Sequence, residues 1–152
     1  DQSMFMGVQV SKAKNNALLR SGLFLSGAAS VYSDEPNLMG SNNGVLYAYE
    51  AMNLDLQGTQ LVVLSACETG NGEIVNGEGV YGLCRSFQVA GASKILMSLW
   101  SADDKGTREL MTAFYKNWIK LQDAQQAFIL AQKTVKEKFP KPYFWGAFVM
   151  MN

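Results

Sequence analysis

Two short apolar runs constrain this chain more than anything else in it. Residues 61–64 read LVVL and residues 93–100 read SKILMSLW. Each is too short for a helix, and neither alternates apolar with polar, so each predicts a strand buried on both faces of a sheet rather than half-solvated. Between them Val80, Leu83, Phe87 and Ala90 fall three or four residues apart and Gly91 follows, which predicts an amphipathic helix from Glu78 to Ala90. Strand, crossover helix and strand make one parallel unit, since parallel strands need a connection of that length.

The rest of the chain builds outward from that unit. Val45, Tyr49 and Met52 stand at helical spacing, so a short helix is expected there, ending near Gly58. Downstream, Leu110, Met111, Phe114, Tyr115, Trp118 and Leu121 form one wide stripe, with Thr107 as the expected cap. Asp123 caps a further helix, with Gln126 three residues on and Ala127, Phe128, Ala131 and Val135 as its core face. Pro140 and Pro142 break the pattern, and Tyr143 to Met151 is aromatic and β-branched enough for a third strand. Residues 1–43 read as a largely irregular lead-in, with an apolar patch at Leu18-Leu19 and Leu23-Phe24-Leu25 and a Ser, Gly, Asn and Pro-rich connection after it. Residues 44–152 are then the α/β core of a single doubly wound domain.

Composition narrows the partners. With 13 basic and 13 acidic residues there is no net field to favour nucleic acid or an acidic membrane surface. No apolar run approaches the roughly 20 residues of a membrane helix, and the opening DQSMFMGVQVSKAKNN lacks the basic-then-apolar order of a signal peptide. Two cysteines and no histidine supply neither a disulfide framework nor a zinc pattern, so a reducing, cytoplasmic setting without metal or cofactor is expected. The glycine-rich GNGEIVNGEG lacks the lysine and hydroxyl residue of a phosphate-binding loop.

Cys67 is the residue that raises the question of chemistry. It follows the first apolar strand within LVVLSACETGNG, and the crevice outside the carboxyl ends of parallel strands is where ligands collect. A thiol there is either a small packed hydrophobe or a nucleophile. Cys84, in the middle of the amphipathic segment, reads as packing. Asp103 and Asp104 follow the second strand and either cap and solvate the next helix or face the same crevice, which Trp100 can wall.

In this order the segments NALLRSGLFLSGA, LVVLSACETGNG, GEGVYGLCRSFQVAGASKILMSLWSADDKGTRELMTAFY and YFWGAFVM resemble the CHAT family of caspase-like and separase-like cysteine peptidases, over roughly residues 15–150. The resemblance implies a caspase-like, mostly parallel sheet with helices on both faces and with N-terminal strands missing. It implies Cys67 as the nucleophile, with its own amide and the turn at Gly70 forming part of the oxyanion hole and Glu68 beside it. Asp104 matches the aspartate that in separases faces the arginine before the scissile bond, so Asp103, Asp104, Trp100 and Glu68 become a substrate pocket. The family's catalytic histidine and the glycine after it would lie upstream of NALLRSG. Because the chain opens on Asp1 without a histidine-glycine pair, it is expected to be a partial domain, inactive or nearly so alone and prone to self-association through an exposed sheet edge. In bacteria the family often follows helical repeats, so a helical-repeat neighbour is expected, and a polypeptide substrate or protein partner. The competing expectation is a pseudo-peptidase that binds a peptide or protein without cleaving it.

Overall fold

The computed structural model describes residues 4–5, 8–9, 16–26, 28, 44–65 and 78–152. They form a mixed α/β structure that divides into two compact units, residues 1–60 with 69–93 and residues 61–68 with 94–152.

The first unit opens with a two-stranded antiparallel pair, β1 (Met4–Phe5) and β2 (Val8–Gln9). A helical turn, α1 (Ala17–Arg20), leads into β3 (Gly22–Phe24), which pairs antiparallel with β4 (Val45–Tyr47). The patch at Leu18-Leu19 and Leu23-Phe24 is therefore built into regular elements rather than an irregular lead-in. Gly22 lets the two strands close, since a β-carbon there would stand 2.7 Å from the Leu46 carbonyl oxygen.

The helix expected from Val45 is shorter than its spacing implies. Its first three residues are β4, and only α2 (Ala48–Ala51) is helical, with the Glu50 carboxylate accepting from the Tyr47 amide at 3.0 Å. Pairing with β3 supplies cross-strand hydrogen bonds that the local pattern does not record. The amphipathic helix is present as α3 (Glu78–Val89), and α1 and α2 both pack on it. Leu83, Cys84 and Phe87 are buried, as the three-and-four spacing requires. Gly91 ends the segment at φ 111°, where a β-carbon would press on the Gln57 amide nitrogen at 2.9 Å.

The second unit is a three-stranded sheet in the order β5 (Val62–Leu64), β6 (Ile95–Ser98), β7 (Phe148–Met151), covered by helices. β5 and β6 are parallel, with Val63 opposite Leu96, whereas β6 and β7 are antiparallel, with Leu96 opposite Met150. The parallel pair is thus where the two apolar runs put it, while the other strand pairs among the described residues are antiparallel. The row Val63, Leu96, Met150 faces a core that includes Leu110, Phe114, Phe128, Ala131 and Val135 from α4 (Asp104–Leu121) and α5 (Ala124–Lys138). Ile95 and Met97 point to the opposite face and are also buried, so β6 is enclosed on both sides.

The two long helices pack lengthwise on one another. Phe114 stacks on Trp118 at 5.6 Å between ring centroids and meets Phe128 edge-on at 6.2 Å. Gln122 ends α4 in the left-handed conformation, φ 54°, and Asp123 caps α5 by accepting from the Gln126 amide at 3.1 Å. The last expected strand begins late. Residues from Tyr143 to Trp145 belong to a helical turn, α6 (Pro142–Trp145), because Pro142 suits the first turn of a helix and the Gly146 amide closes on its carbonyl at 2.7 Å. Among the described residues no helix is long and apolar enough to cross a membrane, and no cluster of three or more histidine, cysteine or acidic side chains could hold a metal ion.

Candidate functional site

Parallel register sets the candidate site. Leu64 lies opposite Met97, so β5 and β6 run out at the same edge of the sheet. Ser65, exposed, is the last described residue beyond β5, and Cys67 follows two positions later in sequence. Cys67, Glu68 and Gly70 lie outside the described residues, as do Gly72 and Gly77. From the neighbouring strand end, residues 99–103 leave β6 and lead into α4.

That second loop is held by hydrogen bonds to the segment that follows α5. The Leu99 amide donates to the Ala147 carbonyl at 2.7 Å, continuing the β6–β7 pairing by one bond. Trp100 is 40% exposed, too open for a core residue, and its ring lies beside Gly146, where a β-carbon would approach it at 3.7 Å. Tyr143 donates its hydroxyl to the Ser101 carbonyl at 3.2 Å. At the end of the loop the Asp103 carboxylate accepts from the Gly106 amide at 2.8 Å, and the Asp103 carbonyl accepts from the Thr107 amide at 2.8 Å.

Asp103 is therefore the cap of α4. This corrects the expectation that Thr107 fills that role, since Thr107 lies one turn inside the helix. An aspartate three residues ahead of a buried glycine satisfies an amide that has no intrahelical partner. Asp104 is the first residue of the helix and is exposed, leaving its carboxylate open to solvent at the positive end of the helix dipole. Asp103 is thus engaged as the cap, and Asp104 is solvent-exposed in the first turn.

Gly106 and Gly146 set how closely α6 approaches this loop. A β-carbon at Gly106 would stand 2.9 Å from the Phe144 carbonyl oxygen and 3.3 Å from its side chain. A β-carbon at Gly146 would stand 3.0 Å from the Pro142 carbonyl oxygen. Trp145 is half-buried against the core, with its indole N–H on the Pro140 carbonyl at 3.4 Å. Tyr143 is not singled out by the sequence, where its signal is its place in an aromatic run after two prolines.

The second cysteine is a different kind of group. Cys84 is fully buried in α3, and burial pushes its thiol up to about 11 from an ordinary 9.0. At neutral pH it is a protonated, packed side chain, as its place in the helical spacing indicates.

Two strand ends thus leave one edge of a mixed α/β structure, with the loop after one of them held by hydrogen bonds. The CHAT domain family matches residues 5–152, and the chain belongs to that family. Human tetratricopeptide repeat protein 28 is 31% identical over 110 residues, covering 71% of this chain, and the mouse protein of that name is 30% identical over 110 residues. The chain spans 4% of the length of these curated relatives. No solved structure matches it.

Proposed function

We propose that this chain is the nucleophile-bearing part of a caspase-like cysteine endopeptidase domain, built on a doubly wound, mostly parallel sheet in the intact protein. The observation that carries the reading is the shared edge at which β5 and β6 end: the chain leading to Cys67 and the loop that bears Trp100 and leads to Asp104 both follow strands that end there. Membership of the CHAT family supports it.

In this reading the Cys67 thiolate attacks a peptide carbonyl carbon. Backbone amides around Cys67 and Gly70 stabilise the oxyanion, with Glu68 flanking the turn. The C–N bond then breaks, the departing amine takes a proton from an imidazolium, and water hydrolyses the thioester. The sequence contains no histidine, so the imidazole comes from residues outside these 152. Asp104 would attract a basic side chain ahead of the scissile bond, Trp100 would wall the pocket, and Asp103 would hold the loop. No cofactor takes part. A reducing, cytoplasmic setting suits a thiol nucleophile.

The test is cleavage of arginine-containing peptides by the full-length protein. Activity abolished by Cys67→Ala and weakened by Asp104→Asn supports the assignment; activity that survives Cys67→Ala overturns it.

A second reading has its own support. Complete absence of histidine fits a non-catalytic module that binds a peptide or partner domain at the same edge. The relatives' names point to a helical-repeat neighbour that would serve either reading. Peptide binding by a full-length protein that cleaves nothing would favour this alternative.

A further inference from the structure

The loop at residues 99–103 does not hold itself. Apart from the helix cap at Asp103, the ties described above run to one short segment, Pro142 to Ala147: the Leu99 amide on the Ala147 carbonyl, the Ser101 carbonyl on the Tyr143 hydroxyl, and the Trp100 ring beside Gly146. That segment reverses direction between α6 and β7, and Gln132, part-buried on α5, reaches across it. Its side-chain amide nitrogen donates to the Trp145 carbonyl at 3.2 Å and to the Phe148 carbonyl at 3.4 Å, spanning Gly146 and Ala147 from both sides.

We propose that Gln132 is a positioning residue, which by pinning the turn between Trp145 and Phe148 fixes the loop that the peptidase reading assigns to substrate selection. An amide NH2 group carries two donors, and here each has a carbonyl on either side of the turn. An isosteric carboxylate has none to give. An apolar chain of the same length would leave two part-buried carbonyls without this partner. The inference rests on the proposed role of Trp100 and Asp104 only for its functional consequence, because the mechanical linkage stands on the contacts themselves.

Gln132→Met and Gln132→Glu in the full-length protein test it, with hydrogen exchange followed by mass spectrometry. The peptide containing Leu99 to Asp103 should exchange about tenfold faster in both variants, as expected when weak hydrogen bonds holding a segment are lost, while the middle of α4 stays protected. KM for an arginine peptide should rise about tenfold with kcat within about twofold, the pattern of lost substrate positioning without damage to the reacting groups. Tyr143→Phe, an exposed change that leaves packing intact, should loosen the same peptide to a smaller degree.

Unchanged exchange at residues 99–103 in the Gln132 variants overturns the proposal. So does acceleration spread evenly through α4 and α5, which would make Gln132 a general stabiliser of the unit. A loosened loop with unchanged KM overturns the functional half. Absence of cleavage by the unaltered protein counts against the peptidase reading, and the exchange comparison still decides the linkage.

Discussion

The Asp103 carboxylate and the Gly106 amide, 2.8 Å apart, fix the start of the longest helix and the end of the loop at the sheet edge in one contact. A residue available for substrate in sequence terms is thereby committed to structure, and its neighbour Asp104 is left facing solvent.

Asp103→Ala should cost about 1 kcal/mol of stability, within the range of about 0.5 to 2 for a lost helix cap. Asp104→Ala should cost less, since an exposed first-turn carboxylate contributes about 0.3 to 1 kcal/mol through the helix dipole. Urea denaturation of the two variants checks the order. A larger loss at Asp104 would reverse the division of roles between them.

Gly106→Ala separates two opposing effects. Alanine in a helix interior is ordinarily favoured over glycine by about 1 kcal/mol. Here the new methyl would stand 2.9 Å from the Phe144 carbonyl oxygen, a backbone atom that cannot swing aside. Overpacking of that kind costs about 1 to 3 kcal/mol, so the net change should be destabilising. A thermal melt that rises on this substitution would show that α6 moves away freely.

Cys84 should resist alkylation in the folded protein. Its thiol is pushed up to about 11 by burial, so iodoacetamide at pH 8 should leave it unmodified until the protein unfolds, as peptide mass mapping can show. The sign of its pH linkage follows. The unfolded thiol loses its proton near 9.0 while the folded one keeps it, so the stability it contributes is complete below pH 9.0 and is lost as pH climbs toward about 11. Cys84→Ala should flatten that alkaline decline. On the proposed function Cys67 reacts first, and equal protection of both thiols would count against it.

Phe114 carries the aromatic centre of the second unit. It has no exposed surface and meets Trp118 and Phe128 through its ring. Phe114→Ala should cost about 3 to 5 kcal/mol, the range for emptying a buried aromatic site. Phe114→Leu should recover part of that. A loss below 1 kcal/mol would mean that α4 and α5 collapse into the vacated space.

Several elements needed no partner to be visible. Leu61 to Leu64 and Ile95 to Met97 declare strands because they are apolar throughout, although only the second is fully buried and Val62 and Val63 of the first are half-buried, and Leu83, Phe87, Phe114 and Ala127 declare helices through spacing alone. Asp123 announces a cap because its partner, Gln126, is three residues away. The segments from NALLRSG to YFWGAFVM, taken together in order, point to the CHAT family, and the match over residues 5–152 agrees.

What the chain alone leaves undecided is decided by partners far along it. Val45 to Tyr47 has helical spacing yet forms a strand because β3 lies beside it. Tyr143 to Trp145 has strand composition yet turns as a helix, its place set by Gly106, by Ser101 and by Gln132, which donates to the Trp145 carbonyl 13 residues further on. Residue spacing records which face of an element avoids water. It carries no information about which distant donor meets which carbonyl, because that depends on where folding brings two segments together.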